Sequence, residues 1–185
     1  MMRIDIPSDR AHDPYGYAGE QLVPELMSAA GDFSKAVYQH SRLSLREFEG
    51  ARARTAELNG CLICQRFRAA RDLGGVFSGI GTRATVADNG PAPDEAFYEA
   101  VNQWRTATLF SPREVLTIEF AELFGTDPKE LAENEIFWER MRANFSDAEI
   151  ADLAHCVASW VGLGRVAHVL GFDEVCLPFA ADPAG

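Results

Sequence analysis

No uninterrupted apolar run in this sequence approaches the roughly 18 residues that a membrane-spanning helix needs, so no membrane association is expected. The first twenty residues, MMRIDIPSDRAHDPYGYAGE, place acids and prolines where an export signal needs an apolar centre. Basic charge is scarce as well. Lys and Arg number 17 against 28 Asp and Glu, a net charge of −11. Nucleic acid and anionic membrane surfaces both select basic faces, so neither is an expected partner. Cysteines are few, 4 in 185 residues. Without an export signal they point to a reducing compartment, and a cytoplasmic location is expected. There a Cys-x-x-Cys pair is more often catalytic or metal-binding than a structural staple. The alternating pattern of a half-buried strand is almost absent. The glycines of GGVFSGIG follow a helical pattern rather than a strand, which argues against a dinucleotide loop. No cofactor is expected.

What remains is a chain with an ordinary apolar share of 47%, long enough for one domain with its own core. Residues 1–20 are polar and rich in turn formers and read as an extended arm. Residues 21–185 read as a single all-α domain, with a first helix over about 21–40. Three Ser-x-x-Glu boxes follow, at Ser44/Glu47, Ser111/Glu114 and Ser146/Glu149. In each, the serine oxygen can accept from an orphan amide while the glutamate reaches back. Leu43, Phe110 and Phe145 precede these serines as candidate staples. Together the boxes and the helical periodicity predict about seven or eight helices arranged as antiparallel hairpins. The long loop is expected over 79–93. A faint internal echo links Ala70–Gly74 with Ala167–Gly171, both A-x-x-LG after a cysteine-bearing helix.

The stretch AELNGCLICQRFRAARDLG carries the most chemistry. A helix over 45–58, a break at Asn59-Gly60 and a second helix over 61–73 form a hairpin. Glu49 lies ten residues before Asn59 and Arg68 nine after it. At about 1.5 Å per residue the two stand level. On the second helix Cys61, Cys64, Arg68 and Arg71 fall within an arc of roughly 80°. The expected column sets Glu49 against Arg68, then Cys64, then Cys61. A helix N-terminus and a neighbouring cation both favour the reactive thiolate.

Blander readings stand beside this one. The cysteines could be two packed small residues, and Glu49 with Arg68 a plain ion pair. A zinc site would need two more ligands. His155, Cys156, His168 and Cys176 are available, but none forms a second Cys-x-x-Cys or His-x-x-x-His pair, so no metal is expected. On the last helix His168 shares a face with Ile150, Val157, Val161 and Gly164, whereas His155 does not, so His168 is the histidine expected to point inward. Trp160 near that face reads as core or pocket lining.

Glu49, eleven intervening residues and then Cys61-Leu-Ile-Cys64 after LNG resemble the carboxymuconolactone decarboxylase / alkyl hydroperoxidase D-like superfamily. The opening SLRE, the LGG after the cysteine segment and the late FSDAEIADLAHCVASWVGLGRVAHVLG support the likeness over roughly 21–175. The resemblance implies an all-helical fold that assembles as homotrimers or hexamers, with the N-terminal arm a candidate exchange element. It implies Cys64 as the peroxidatic thiol, Cys61 as the resolving thiol and Glu49 as a proton-relay carboxylate. The family's relay histidine belongs four residues after the second cysteine, where this chain has Arg68. Arginine stays protonated, so it cannot shuttle a proton near neutrality. Arg68 is therefore expected to activate Cys64 by charge while holding Glu49, with His168 as a candidate modulator. The expected function is a thiol peroxidase or dithiol–disulfide oxidoreductase, weak toward peroxide, acting with a peroxide or with a small-molecule or protein disulfide. The alternative is a non-redox lyase of the decarboxylase branch or a small-molecule-binding relative.

Overall fold

The structure, a computed structural model, describes residues 1–77 and 85–174, and every regular element among them is helical. The helices are α1 (Pro14–Tyr17), α2 (Pro24–His40), α3 (Leu45–Asn59), α4 (Leu62–Arg66), α5 (Ala69–Val76), α6 (Glu95–Ala100), α7 (Pro112–Thr126), α8 (Pro128–Glu133), α9 (Glu135–Asn144) and α10 (Asp147–Leu170). The all-α class is as read. Ten α-helices among the described residues exceed the expected number, because the cysteine segment is split and short pieces such as α1 and α8 stand alone. The expected long loop lies partly outside the described residues. Its described part holds a 3-10 turn at Val86–Asp88, capped by Thr85 and Asp88 in another box of the same kind.

The three Ser-x-x-Glu boxes form as their spacing predicts. Ser44, Ser111 and Ser146 each accept from the amide three residues on, and each glutamate reaches back to its serine. Leu43 and Phe145 are buried beside them, and Phe110 packs on the smaller core cluster around Phe97.

The first two boxes also meet each other. Arg46 pairs with Glu114 and Arg113 with Glu47, so each capping glutamate also holds the other helix's arginine. Further along, Arg54 pairs with Glu122. The pairs 46–114 and 54–122 keep one offset, so α3 and α7 run parallel. Gly50 lets them approach closely: an added Cβ there would lie 3.1 Å from Ile118. The shared Ser-x-Arg-Glu form of 44–47 and 111–114 is the sequence mark of this pairing. The A-x-x-LG echo is not a shared geometry. Gly171 ends α10 in the left-handed region (φ 76°), whereas α5 runs through Gly74 and Gly75 to Val76.

Helix α10 packs over α2, α3 and α7. Phe48 meets Trp160 edge to face at 4.7 Å. The Asn59 amide donates to the Trp160 carbonyl at 2.8 Å and accepts from Arg165 at 3.1 Å. At 24 residues and mean hydropathy 1.3, α10 is long and apolar enough to cross a membrane by length and composition. Charges interrupt it, so no unbroken run marks it in the sequence. Leu153, Cys156, Val157 and Trp160 on it are buried in the main core.

The N-terminal segment is not simply extended. Asp13 caps α1, accepting from the Gly16 amide at 2.9 Å, and Pro14 starts the turn. The segment folds back on its own chain. The Arg3 amide donates to the Leu170 carbonyl at 3.1 Å, the Met1 ammonium pairs with Glu174, and Tyr15 meets Phe172 edge to face at 5.1 Å.

The turn out of α3 is glycine-dependent. Gly60 sits at φ 67°, and its amide closes the last turn of α3. A Cβ there would be 3.1 Å from Nε2 of His168. Gly60→Ala is therefore expected to lower stability by about 1–2 kcal/mol through the left-handed backbone alone, with the imidazole displaced in addition. A thermal midpoint unchanged from wild type would show that the turn tolerates a side chain.

Candidate functional site

Beyond Gly60 the chain reverses along α3. The Cys61 amide donates to the Ala56 carbonyl at 3.2 Å, and α4 begins. Cys61 is the cap of α4: its Sγ accepts from the Cys64 amide at 3.4 Å. Cys61 and Cys64 are joined as a disulfide, with Cα atoms 5.3 Å apart. Cys61 is fully buried, and Cys64 is partly exposed. The pair thus joins a sealed residue to a partly exposed one.

The single helix expected over 61–73 is broken at Phe67-Arg68, both extended. Backbone accounting explains the break. In a continuous helix the Cys64 carbonyl would accept from the Arg68 amide. Instead the Arg68 amide donates to Asp72 at 2.8 Å, and the Cys64 carbonyl accepts from Arg52 at 2.6 Å. Arg52 also donates to the Phe67 carbonyl at 2.6 Å. Phe67 turns into the core against Tyr38, ring centroids 5.5 Å apart. Side chains from both sides satisfy what the helix gives up.

Arg52 can do this because Glu49 holds it. Its Nε and Nη2 donate to the two carboxylate oxygens of Glu49, both at 2.8 Å. Glu49 is 0% exposed and Arg52 3%. Burial works against the Arg52 charge, and Glu49 more than offsets this, raising its pKa above the ordinary arginine value. Tyr98, from α6, donates its hydroxyl to Glu49 at 2.7 Å. Burial first and then the Glu49 charge push the Tyr98 hydroxyl pKa up, so it stays protonated as a donor.

The expected Glu49–Arg68 pair is therefore replaced. Arg68 donates to Glu95 at 2.8 and 3.1 Å and to the carbonyls of Gln65 and Phe67. Its guanidinium stacks on Tyr98, 3.8 Å from the ring centre. The break rotates Arg68 off the face it would share with Cys64 in an unbroken helix, and α6 supplies the partner. Arg68 in turn lowers the Glu95 carboxylate pKa, chiefly through its hydrogen bond.

His168 is not turned inward as expected. Its side chain is 49% exposed, although its neighbour Ala167 in the same turn is buried. Its ring lies against Gly60, and its Nδ1 donates to Asp173 at 2.9 Å. The same Asp173 oxygen accepts from the Leu62 amide at 3.0 Å. His155 is exposed and bonds within its own helix to the Ala151 carbonyl. Cys156 is buried and donates to Asp152 at 3.3 Å. Burial first, then Asp152, push the Cys156 thiol pKa far up, which keeps it protonated and unreactive. Cys176 lies outside the described residues. Among the described residues no group of three His, Cys, Asp or Glu side chains is placed to hold a metal ion.

Three residues of the site escaped the sequence reading. Arg52 could have been found, since it lies three residues after Glu49 on one helix, the ordinary spacing for an ion pair. Tyr98 and Asp173 carried no such mark, because each arrives from an element remote in sequence. No family model and no curated protein matches this chain.

Proposed function

We propose that this chain is a dithiol–disulfide oxidoreductase of the alkyl hydroperoxidase D-like type, in which Cys64 exchanges and Cys61 is its internal partner. The observation that carries the reading is the Cys61–Cys64 disulfide, with Cys61 sealed and Cys64 partly exposed. An incoming thiolate or peroxide meets Cys64 first. Cys61, held three residues away as the cap of α4, is placed to close or release the bond. Glu49 acts here as a positioning residue rather than a proton carrier. A carboxylate held on both oxygens by Arg52 and also by Tyr98 serves to fix Arg52, and Arg52 fixes the cysteine segment.

Peroxide turnover is weak in this reading. Arg68 cannot shuttle a proton, and its guanidinium is committed to Glu95 and Tyr98. Disulfide exchange with a small-molecule or protein partner is the favoured reaction. The same resemblance carries the proposal of a homotrimer or hexamer, which sedimentation at micromolar concentration tests.

The test of the reaction is thiol counting. Fully reduced protein treated with one equivalent of peroxide, or of a small disulfide, is expected to lose the Cys61 and Cys64 thiols together and to keep Cys156. Peptide mass spectrometry would show the intramolecular disulfide. Retention of both thiols with both oxidants would rule out the redox reading and leave the lyase or binding alternative.

A further inference from the structure

We infer that His168, oriented by Asp173, is the general base and acid of thiol exchange at the Cys61–Cys64 disulfide. The inference rests on the oxidoreductase reading and adds the proton carrier that Arg68 cannot be. Three observations bring the dyad to the turn. The His168 ring abuts Gly60, the residue before Cys61. Asp173, 4% exposed, accepts from the amide of Leu62, the residue after Cys61. The Nδ1–H bond to Asp173 fixes the tautomer and leaves the Nε2 lone pair on the side of the ring that faces Gly60. A base oriented by a buried carboxylate, with its second nitrogen against the residue that precedes Cys61, has the orientation that general acid–base catalysis requires and stands beside the cysteine turn.

The chemistry gives that base work in both directions. A reductant thiol loses its proton to Nε2 of His168, and its sulfur attacks Sγ of Cys64. The Cys61–Cys64 bond breaks, a mixed disulfide forms on Cys64, and Cys61 leaves as a thiolate. Cys61 is fully buried, and burial disfavours a thiolate. The imidazolium then returns its proton to Cys61, so His168 ends neutral. A second thiol of the same reductant resolves the mixed disulfide, leaving the cysteines reduced and the reductant oxidised.

Among the described residues, two cations near the end of α10 have partners of their own. The Met1 ammonium pairs with Glu174. Arg165 donates to Asn59 and to the Gly125 carbonyl. Tyr15, near Asp173, has its hydroxyl pushed up to about 12 by burial and by that carboxylate, so it is no base near neutrality. On the far side of the cysteines, Arg52 is spent on Glu49 and on backbone carbonyls.

The test is single-turnover reduction of the oxidised protein by dithiothreitol over a range of pH, read by alkylating the released thiols. His168→Ala is expected to slow reduction at neutral pH by about 10²-fold, at the lower end of general acid–base contributions. Its pH–rate profile should also differ from that of wild type. Added imidazole should restore part of the rate in His168→Ala and leave wild type unchanged. Asp173→Asn should slow the reaction less, and imidazole should not rescue it. A His168→Ala protein with the wild-type rate and profile overturns the inference while leaving the oxidoreductase reading intact. A slowed variant that imidazole cannot rescue makes His168 a structural prop and also overturns it. A wild-type disulfide that dithiothreitol does not reduce at any pH sinks the oxidoreductase reading itself.

Discussion

Replacing Arg52 with methionine is expected to cost about 3–5 kcal/mol of stability, the range for removing one partner of a buried ion pair. Methionine matches the aliphatic stem of arginine in length but lacks the guanidinium, which stands over the Phe67 ring 5.2 Å from its centre. What changes is electrostatic. Glu49, 0% exposed, would keep a charge whose remaining hydrogen-bond donor among the described side chains is the Tyr98 hydroxyl. The Cys64 and Phe67 carbonyls would each lose a donor. The double variant Glu49→Leu with Arg52→Met removes both charges and should recover part of the loss. Recovery stays incomplete, because the Tyr98 hydroxyl and the two carbonyls lose these partners at about 1–3 kcal/mol each where water cannot reach them. Urea midpoints of the two variants against wild type decide the matter. A single variant within about 1 kcal/mol of wild type would mean that the pair does not hold the site. A double variant no better than the single one would mean that the uncompensated charge is not the source of the cost.

That cluster also shows where sequence reasoning stops. The capping boxes at Ser44, Ser111 and Ser146 were legible because their partners lie within four residues and each box is a local hydrogen-bond problem with one solution. Gly60 as the end of α3 was legible for the same reason, as the glycine of an Asn-Gly break. The spacing of Cys61 and Cys64 allowed the disulfide without singling it out from two packed small residues or part of a metal site. The register of Glu49 against Arg68 failed because it assumed that one helix runs through 61–73. Whether that helix continues depends on Arg52 and Asp72 competing for backbone groups at Cys64 and Arg68, and on Phe67 finding a place beside Tyr38. Those are tertiary contacts, and helical periodicity carries no record of them. The inward reading of His168 failed similarly. The face count held for Val157 and Gly164 on α10, but Asp173 beyond Gly171 draws the His168 ring onto the cysteine turn. The parallel α3–α7 pair was legible in principle from Ser-x-Arg-Glu at both starts, since an arginine at the same place in each box can reach the other's glutamate.

Cys64→Ser is expected to abolish both peroxide-driven oxidation and disulfide exchange, whereas Cys61→Ser should leave Cys64 able to react but unable to finish. The two variants are a fair comparison because neither should disturb the fold. Cys64 is partly exposed, so a hydroxyl there meets water. Cys61 caps α4 through its Sγ, and serine is a better cap than cysteine. In the Cys61→Ser variant the buried hydroxyl thus keeps the bond to the Cys64 amide. Loss of reaction then reports chemistry rather than unfolding, and circular dichroism on both variants verifies that condition. With Cys61→Ser, one equivalent of peroxide should give a sulfenic acid on Cys64 that dimedone captures, and a small disulfide should give a mixed disulfide that persists. Neither product should accumulate on wild type, where Cys61 displaces it to close the ring. The asymmetry follows from burial: Cys64 is partly exposed, and Cys61 is fully buried next to the turn at Gly60. Dimedone capture on Cys61 in the Cys64→Ser variant would reverse the assignment. Equal capture in both variants would show that the turn opens enough to expose either sulfur, and the order of attack would then not be set by the fold.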